Sequence, residues 1–464
     1  LYLSFQILAS GDRFSLFWVY FLYAARREYR ERHGISMESI WSESVKKERH
    51  TFLQAPSRDI KTEVLIIGGG MAGILTAYRL QQAGVKCIVA EAKTVGCGVT
   101  KNTTAKVTAQ HGLIYSDIIK RRGVEAAKAY YEANRQAVAD FKKLSEKYPC
   151  DFQEKSAFVY AVDRRDKLER EAQAYRQIGL SADLQETPPL PISTVGALEM
   201  KNQGQMHPLK LLLALAEELE IYENTFVRQI ADGVAETDGG KIYADHIVLA
   251  THYPLVNIPG LYFMKLYQHR SYVIAFEGAE EIPGMYVDWQ HTGYTFRTYQ
   301  NLLLLGGGGH RTGKQGGGFA QLRSLAKEAW TGARERFCWA TQDCMSLDSM
   351  PYIGRHRAGN RQLYVATGMS KWGMTGSMVA GRILCDMIVH GKSELEVLYS
   401  PRRSMAGLQL ASNLCSAAAG LLSIGGPRCT HMGCKLHKNC EEGTWDCACH
   451  GSRFDASGHV IDNP

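Results

Sequence analysis

The stretch Val64 Leu65 Ile66 Ile67 Gly68 Gly69 Gly70 Met71 Ala72 Gly73 decides the fold class, because an apolar β-branched run turns into Gly-x-Gly-x-x-Gly just where helical periodicity begins. The reading is a strand over 63–67, a helix over 71–83 and a second strand over 85–91, which is a βαβ start. In such a unit Gly68 makes the tight turn, Gly70 lets backbone approach a pyrophosphate, and Gly73 lets the helix pack closely on the strand. The amides that open the helix, at Met71 and Ala72, then point at the phosphates. Glu91 ends the second strand 23 residues after Gly68, where a carboxylate accepts from a ribose hydroxyl. NAD and FAD share this unit, so other segments must choose between them.

Outward from this motif, helical spacing fills 116–148, 164–177 and about 208–220, with Pro208 in the first turn of the last. Strands are expected at 158–162 and 242–250, and Pro188, Pro189 and Pro191 mark a loop. From 271 to 305 the pattern changes to four strands split by short polar turns (271–276, 285–289, 294–299, 301–305), which implies an antiparallel sheet. A helix over 319–337, a strand over 363–366 and a helix over 374–389 return the chain to α/β character. Residues 401–410 read as a linker.

Composition narrows the function. A chain of 464 residues has room for two to four domains. Its formal charge of +7 comes from 54 basic and 47 acidic side chains without a long basic run, so no nucleic-acid partner is implied. With 45% hydrophobic residues and a mean hydropathy of -0.22 the chain is neither disordered nor a multi-span membrane protein. Near the N-terminus the longest clean apolar stretch, 14–25, falls short of the roughly 20 residues a span needs. The basic cluster 26–32 follows that stretch, unlike a secretory signal. We therefore expect 1–36 to be an upstream extension with Met37 the start, the alternative being a weak membrane anchor, and we expect a cytoplasmic protein. Five of the 12 cysteines fall between Cys429 and Cys449, which suggests metal before it suggests secretion.

Tyr364 Val365 Ala366 Thr367 Gly368, followed by Trp372 Gly373 Met374 Thr375 Gly376, resembles the late flavin-closing motif of the glycine oxidase and D-amino acid dehydrogenase type of FAD-dependent oxidoreductase. Also similar are Met206 His207 Pro208, Ile247 Val248 Leu249 Ala250 Thr251, and Asp348 with Pro351, Ile353 and Gly354. The resemblance covers about 59–395. It implies FAD, with Gly368, Gly373, Met374 and Thr375 near the flavin. It also places a segment beside the flavin at 100–106, with Thr100, Thr103, Thr104 and Ala105 as candidates and a polar surface loop as the alternative. A family of this kind moves hydride from the carbon next to nitrogen of a small amine or amino acid to flavin. A substrate carboxylate would want an arginine fork, for which Arg297 and Arg270 are the candidates. Tyr272, Tyr294 and His310 are candidate pocket groups, with buried structural roles the alternative.

The tail carries the second constellation. Cys429 Thr430 His431 and Cys447 Ala448 Cys449 His450, with fifteen residues between His431 and Cys447, have the CxH and CxxH pairs of a Rieske centre. There two thiolates hold one iron and two imidazoles the other. A zinc site built from the same residues is the competing reading. His437, Cys440 and His459 fall outside the pattern and read as surface or packing residues. Flavoprotein followed by Rieske module resembles a bacterial group of FAD-dependent oxidoreductases with a C-terminal Rieske domain. That resemblance implies a disulfide between Cys434 and Cys449 and a hydrogen bond from Ser452 to the cluster. Fewer than twenty residues separate Leu410 from Cys429 and the chain ends at Pro464, so the all-β module is expected to be partial, lacking the sheet its ligand loops rest on.

The expected architecture is thus α/β. Residues 1–58 form an extension and lead-in. Residues 59–400 are the oxidoreductase, its FAD-binding Rossmann-like domain taking about 59–155, 200–265 and 340–400 and its antiparallel substrate domain about 156–199 and 266–339. Residues 401–464 are linker and partial Rieske module. The expected cofactors are FAD and a [2Fe–2S] cluster, with electrons passing through the cluster to an outside acceptor. The alternative is an electron carrier without a small organic substrate.

Overall fold

The computed structural model of the chain describes residues 34–47, 50–258, 260–357, 362–404 and 407–462, so the expectations for the apolar stretch at 14–25 and the basic cluster at 26–32 lie outside the described residues. The strand Ile60–Ile67 lies at the centre of an eight-stranded sheet. Its main path runs Tyr352–Arg355, Leu363–Thr367, Lys241–Leu249, Ile60–Ile67, Cys87–Ala90, Ile221–Tyr222. The inner junctions are parallel, with Ile66 opposite Val248 on one side and Val89 on the other. Parallel strands are covered on both faces, and Val64, Leu65 and Ile66 are accordingly fully buried. Val64 and Ile66 pack with the helices Met71–Gln82 and Gly373–Val389, while Leu65 and Ile67 pack with residues of the opposite face such as Ile242 and Val365. The two helices cross closely because Gly381 has no side chain: a Cβ there would lie 3.0 Å from the Leu75 carbonyl oxygen.

The second sheet has nine strands. Its order is Arg334–Ser346, Leu266–Glu277, Leu302–Arg311, Thr295–Tyr299, Met285–Asp288, Gln153–Ala161, Gly196–Gln205 and Lys106–Val107, with Asp183–Gln185 also on Gly196–Gln205. It is antiparallel except where Met285–Asp288 runs parallel to Gln153–Ala161. The sheet reaches beyond the expected 156–199 and 266–339 at both ends. The expected helix 319–337 is in fact Gly318–Ala329 followed by the strand Arg334–Ser346, because the chain turns at Gly332 with φ 92°. Likewise the single helix expected over 116–148 breaks at Gly123, φ 85°, into Ile114–Arg122 and Val124–Lys147.

A four-stranded antiparallel sheet closes the chain: Leu436–Asn439, Thr444–Cys447, Arg453–Phe454 and Val460–Asp462. The expected linker runs directly into a helix, Leu408–Leu422. The base expected to be missing is supplied in part by that helix, since Lys435 N–H donates to Gly420 O at 2.9 Å and a Cβ on Gly420 would come within 3.0 Å of Cys449 Sγ.

Candidate flavin and iron–sulfur sites

The glycine turn has the tolerances a bound diphosphate requires. Gly68 has φ 111°, and a Cβ on it would meet Ala250 O at 2.6 Å. On Gly73 a Cβ would lie 1.9 Å from Gly68 O, so no side chain fits between helix and turn. The helix Met71–Gln82 starts at Gly70 with no side-chain cap, and Met71 N–H finds Thr100 Oγ1 at 3.1 Å. Glu91 is tied to the turn: its carboxylate accepts from Gly69 N–H at 2.7 Å and from Lys93 N–H at 2.9 Å.

These residues open onto a cavity of about 790 Å³. Gly68, Gly70, Met71, Ala72 and Glu91 line one end, and Thr100, Thr103 and Thr104 continue the wall. Gly373 and Met374 face it at the start of the second uncapped helix, Gly373–Val389. Two helix N-termini thus point into one space, each worth about 0.3–1 kcal/mol to an exposed anion and up to about 2 kcal/mol to a partly buried one. The remaining candidates sit behind the wall. Gly73 makes the close helix contact, Ala105 is fully buried with φ 51°, and Gly368 makes a turn at φ 67°. Thr375 donates through Oγ1 to Thr108 O at 3.0 Å, beside His111, whose ring stacks on Trp372 at 4.8 Å.

The proposed arginine fork does not form. Arg297 is fully buried and does not line the cavity: its Nη1 donates to the Thr104 carbonyl, its Nε and Nη2 have no hydrogen-bond partner among the described residues, and it lies over Trp41 and Tyr299, 5.4 and 5.7 Å from their ring centres. Arg270 is held by Glu442 of the tail, with Nε 3.1 Å from Oε2 and a second bond from Nη2 to Oε1. Tyr272 borders the cavity, yet its hydroxyl is bound to His310 Nε2 and Asn439 Nδ2, both at 3.0 Å. Its direction follows from strand alternation, which sends Tyr272, Ile274 and Phe276 to the face covered by the helix Gly318–Ala329. Tyr294 borders that face too, while His310 also reaches Arg311 O at 3.0 Å.

No arginine lines the cavity among the described residues; Lys106 and Lys371 do, with Asp288, Asp343 and His291. Lys371 has φ 73° and directly follows Ser370 at φ 49°, two strained non-glycine residues in a row. Its Nζ donates to Ser271 Oγ at 2.7 Å and lies 3.8 Å from Asp343. Burial pulls the Lys106 ammonium down to about 7, and repulsion from Arg297 and Lys371 adds to it. The sequence contained a signal for Lys371, which sits two residues before Gly373, but no pattern marked Asp343.

In the tail, the two ligand loops converge. The His431 and His450 rings are 5.0 Å apart, and Cys429 and Cys447 are buried neighbours. The hydrogen bond with Cys447 holds Cys429 down to about 5, against burial, with help from Ser452 and the His431 and Met432 amides. Ser452 Oγ lies 3.4 Å from Cys429 Sγ. Burial, then His431, holds His450 down to about 4, in the neutral form that donates a nitrogen lone pair. The sulfurs of Cys434, Cys447 and Cys449 also cluster, but Cys434 and Cys449 are joined as a disulfide and offer no thiolate. Two thiols and two imidazoles on facing loops fit a [2Fe–2S] centre of Rieske type. The cavity wall at the tail end includes Thr430, His431, Ile461 and Asp462, so one continuous space runs from the glycine turn to a candidate cluster histidine.

Comparison with known proteins agrees with both cofactors. Residues 63–387 match the family model for FAD dependent oxidoreductases, and 405–464 that for the Rieske [2Fe-2S] domain. The Bacillus subtilis (strain 168) protein YhfW, named for a Rieske 2Fe-2S centre, is 33% identical over 490 residues, 92% of this chain and 96% of that one. Gamma-glutamylputrescine oxidoreductase of Escherichia coli (strain K12) is 23% identical, covering 72% of this chain and 84% of its own. Among solved structures, glycine oxidase from Geobacillus kaustophilus superposes with a TM-score of 0.63 at 21% identity, over 75% of this chain and 100% of that one. L-proline dehydrogenase from P. horikoshii gives 0.62 at 20%, over 74% and 98%. With the family matched over most of its length, this chain belongs to the FAD-dependent oxidoreductases and carries a C-terminal Rieske [2Fe–2S] domain.

Proposed function

We propose that the protein oxidises a small amine or amino acid at the carbon next to nitrogen and passes the electrons through the Rieske centre to an external one-electron acceptor. The carrying observation is the shared cavity, whose wall includes both the glycine turn and His431. The amine-oxidising and amino-acid-oxidising names of the relatives support the substrate class. When bound, FAD supplies hydride acceptance, turning CH–NH into C=N, and the cluster supplies acceptance of one electron at a time.

The chain's own residues bind and orient. Gly68, Gly70, Met71 and Ala72 offer backbone to the diphosphate, and Glu91 stands at the ribose. The segment Thr100, Thr103, Thr104 and the helix start at Gly373 and Met374 hold the ring end, where the helix N-terminus favours negative charge. Lys371 and Lys106 supply positive charge and Asp343 negative charge in the cavity wall, which suits a zwitterion or an amine without requiring an arginine. Cys429, His431, Cys447 and His450 hold the cluster. The disulfide is buried, with Cys434 2% and Cys449 4% exposed, which suits persistence in a reducing cytoplasm. In no described helix is there a stretch long and apolar enough to cross a membrane.

The test is anaerobic mixing of the reconstituted protein with a panel of amines and amino acids. Loss of both flavin and cluster absorption is expected with the true substrate. Flavin bleaching over an unchanged cluster spectrum would reject the route, and reduction by a protein donor alone would favour the carrier role.

A further inference from the structure

The buried charges at the junction of the antiparallel sheet and the Rieske module remain unexplained by the reaction. Arg270, 3% exposed, sits in the strand Leu266–Glu277 and pairs in bidentate fashion with Glu442 of the module. Glu442 is shared with Arg453, whose Nη2 lies 2.9 Å from Oε1, and Arg453 in turn reaches Asp446 at 3.3 Å and Asp462 at 3.0 Å. Within the module Arg453 therefore has three carboxylates. Among the described residues Arg270 has only Glu442. The oxidoreductase sheet thus carries a dehydrated guanidinium whose one counter-ion comes from the module, a geometry that is specific as well as attractive.

Neighbouring contacts grip the ligand loop itself. Gln342 Nε2 donates to Gly451 O at 3.0 Å, Arg311 Nε to Ala448 O at 3.4 Å, and Asn439 Nδ2 to Tyr272 Oη at 3.0 Å. The two parts meet closely at glycines: a Cβ on Gly313 would be 2.4 Å from Ala448 N of the backbone, and one on Gly451 would be 2.3 Å from Cγ of the Gln268 side chain. His450 lies between Tyr253 and Phe263, 6.4 and 6.2 Å from their ring centres.

We propose that Arg270 is a docking latch: paired with Glu442 it pins the 447–452 loop to the oxidoreductase sheet, keeping Thr430, His431 and Asp462 in the flavin cavity wall so that electrons cross by a fixed route. Arg270 is a positioning residue that touches neither substrate nor cofactor. The inference builds on the electron route proposed above but is tested separately.

The measurement compares the full-length holoprotein with Arg270→Gln. Flavin is reduced photochemically with deazaflavin and EDTA, and the passage of one electron to the cluster, Fe(III)Fe(III) to Fe(III)Fe(II), is followed optically. In parallel, iodide quenching of flavin fluorescence reports whether the cavity wall has opened. The latch predicts at least a tenfold slower transfer and a larger quenching constant, with flavin content and the Rieske paramagnetic resonance spectrum unchanged. It also predicts that the pair Arg270→Glu with Glu442→Arg recovers part of the rate. Gln342→Leu serves as the second variant if Arg270→Gln does not fold, and should shift both readouts the same way. Wild-type rates and quenching in the variant overturn the latch. If the wild type itself transfers no electron the proposed route fails, and quenching alone then decides whether the module is latched.

Discussion

Gly73→Ala is the most direct challenge to the flavin site. The added methyl would sit 1.9 Å from the Gly68 carbonyl oxygen, about 1.5 Å inside ordinary van der Waals contact, and the obstacle is backbone that cannot rotate away. Helix and turn must separate, at an overpacking cost of about 1–3 kcal/mol. The same displacement draws the Met71 and Ala72 amides away from a diphosphate, forfeiting up to about 2 kcal/mol of helix-end stabilisation. At roughly 1.4 kcal/mol per tenfold, FAD should bind about 10- to 30-fold more weakly. At about 2 °C per kcal/mol for a chain of this size, Tm should fall by roughly 2–6 °C. Flavin absorbance retained after gel filtration, with a fluorescence titration of the apoprotein, measures the first effect and differential scanning calorimetry the second. Wild-type affinity within twofold would show that the diphosphate does not lie across this turn.

Three further outcomes follow from the described contacts. His431→Ala should abolish the Rieske paramagnetic resonance signal while leaving FAD content unchanged; a surviving signal would remove His431 from the ligand set. Lys106 is held down to about 7 in the folded protein, against an ordinary value of 10.5, so the fold binds fewer protons than the unfolded chain between these values. Stability should therefore rise with pH across about 7–10.5, and Lys106→Met should flatten that slope in denaturant titrations of the apoprotein; an unaltered slope would mean Lys106 is solvated. Gly420→Val would force a branched side chain onto Cys449 Sγ, 3.0 Å from the position of its Cβ. Overpacking there should cost about 1–3 kcal/mol and lower the temperature at which the Rieske signal is lost, and an unshifted signal would place the helix elsewhere.

Local rules made much of this molecule legible. The Gly68–Gly73 motif and Glu91 are close in sequence and their placement follows from local backbone geometry, so the strand, turn and helix could be read directly. The same holds for the Cys and His pairs of the tail, since ligand spacing is a local property. What could not be read depended on distant partners. Arg270 and Arg297 are the residue type a carboxylate needs, but Glu442, 172 residues away, already pairs with the first, and the Thr104 carbonyl, 193 residues away, takes one nitrogen of the second behind the cavity wall. Glycines misled in the opposite sense: Gly123 and Gly332 sit inside apparently helical spacing, yet at positive φ Gly123 ends a helix and Gly332 turns the chain just after one. The strand Gly196–Gln205 is polar and glycine-flanked, and it is held by pairing with Gln153–Ala161 rather than by its own propensity.

The contact between Gly420 and the sulfur of Cys449 bears on how long the tail survives in a thiol-rich solution. A small reductant attacks in line with the sulfur–sulfur axis and needs an approach path, yet here the segment Leu408–Leu422 lies against both sulfurs. Loss of the crosslink would then be timed by how often that segment lifts off its neighbours, a folding-type event, and would level off at high glutathione instead of climbing in proportion to it.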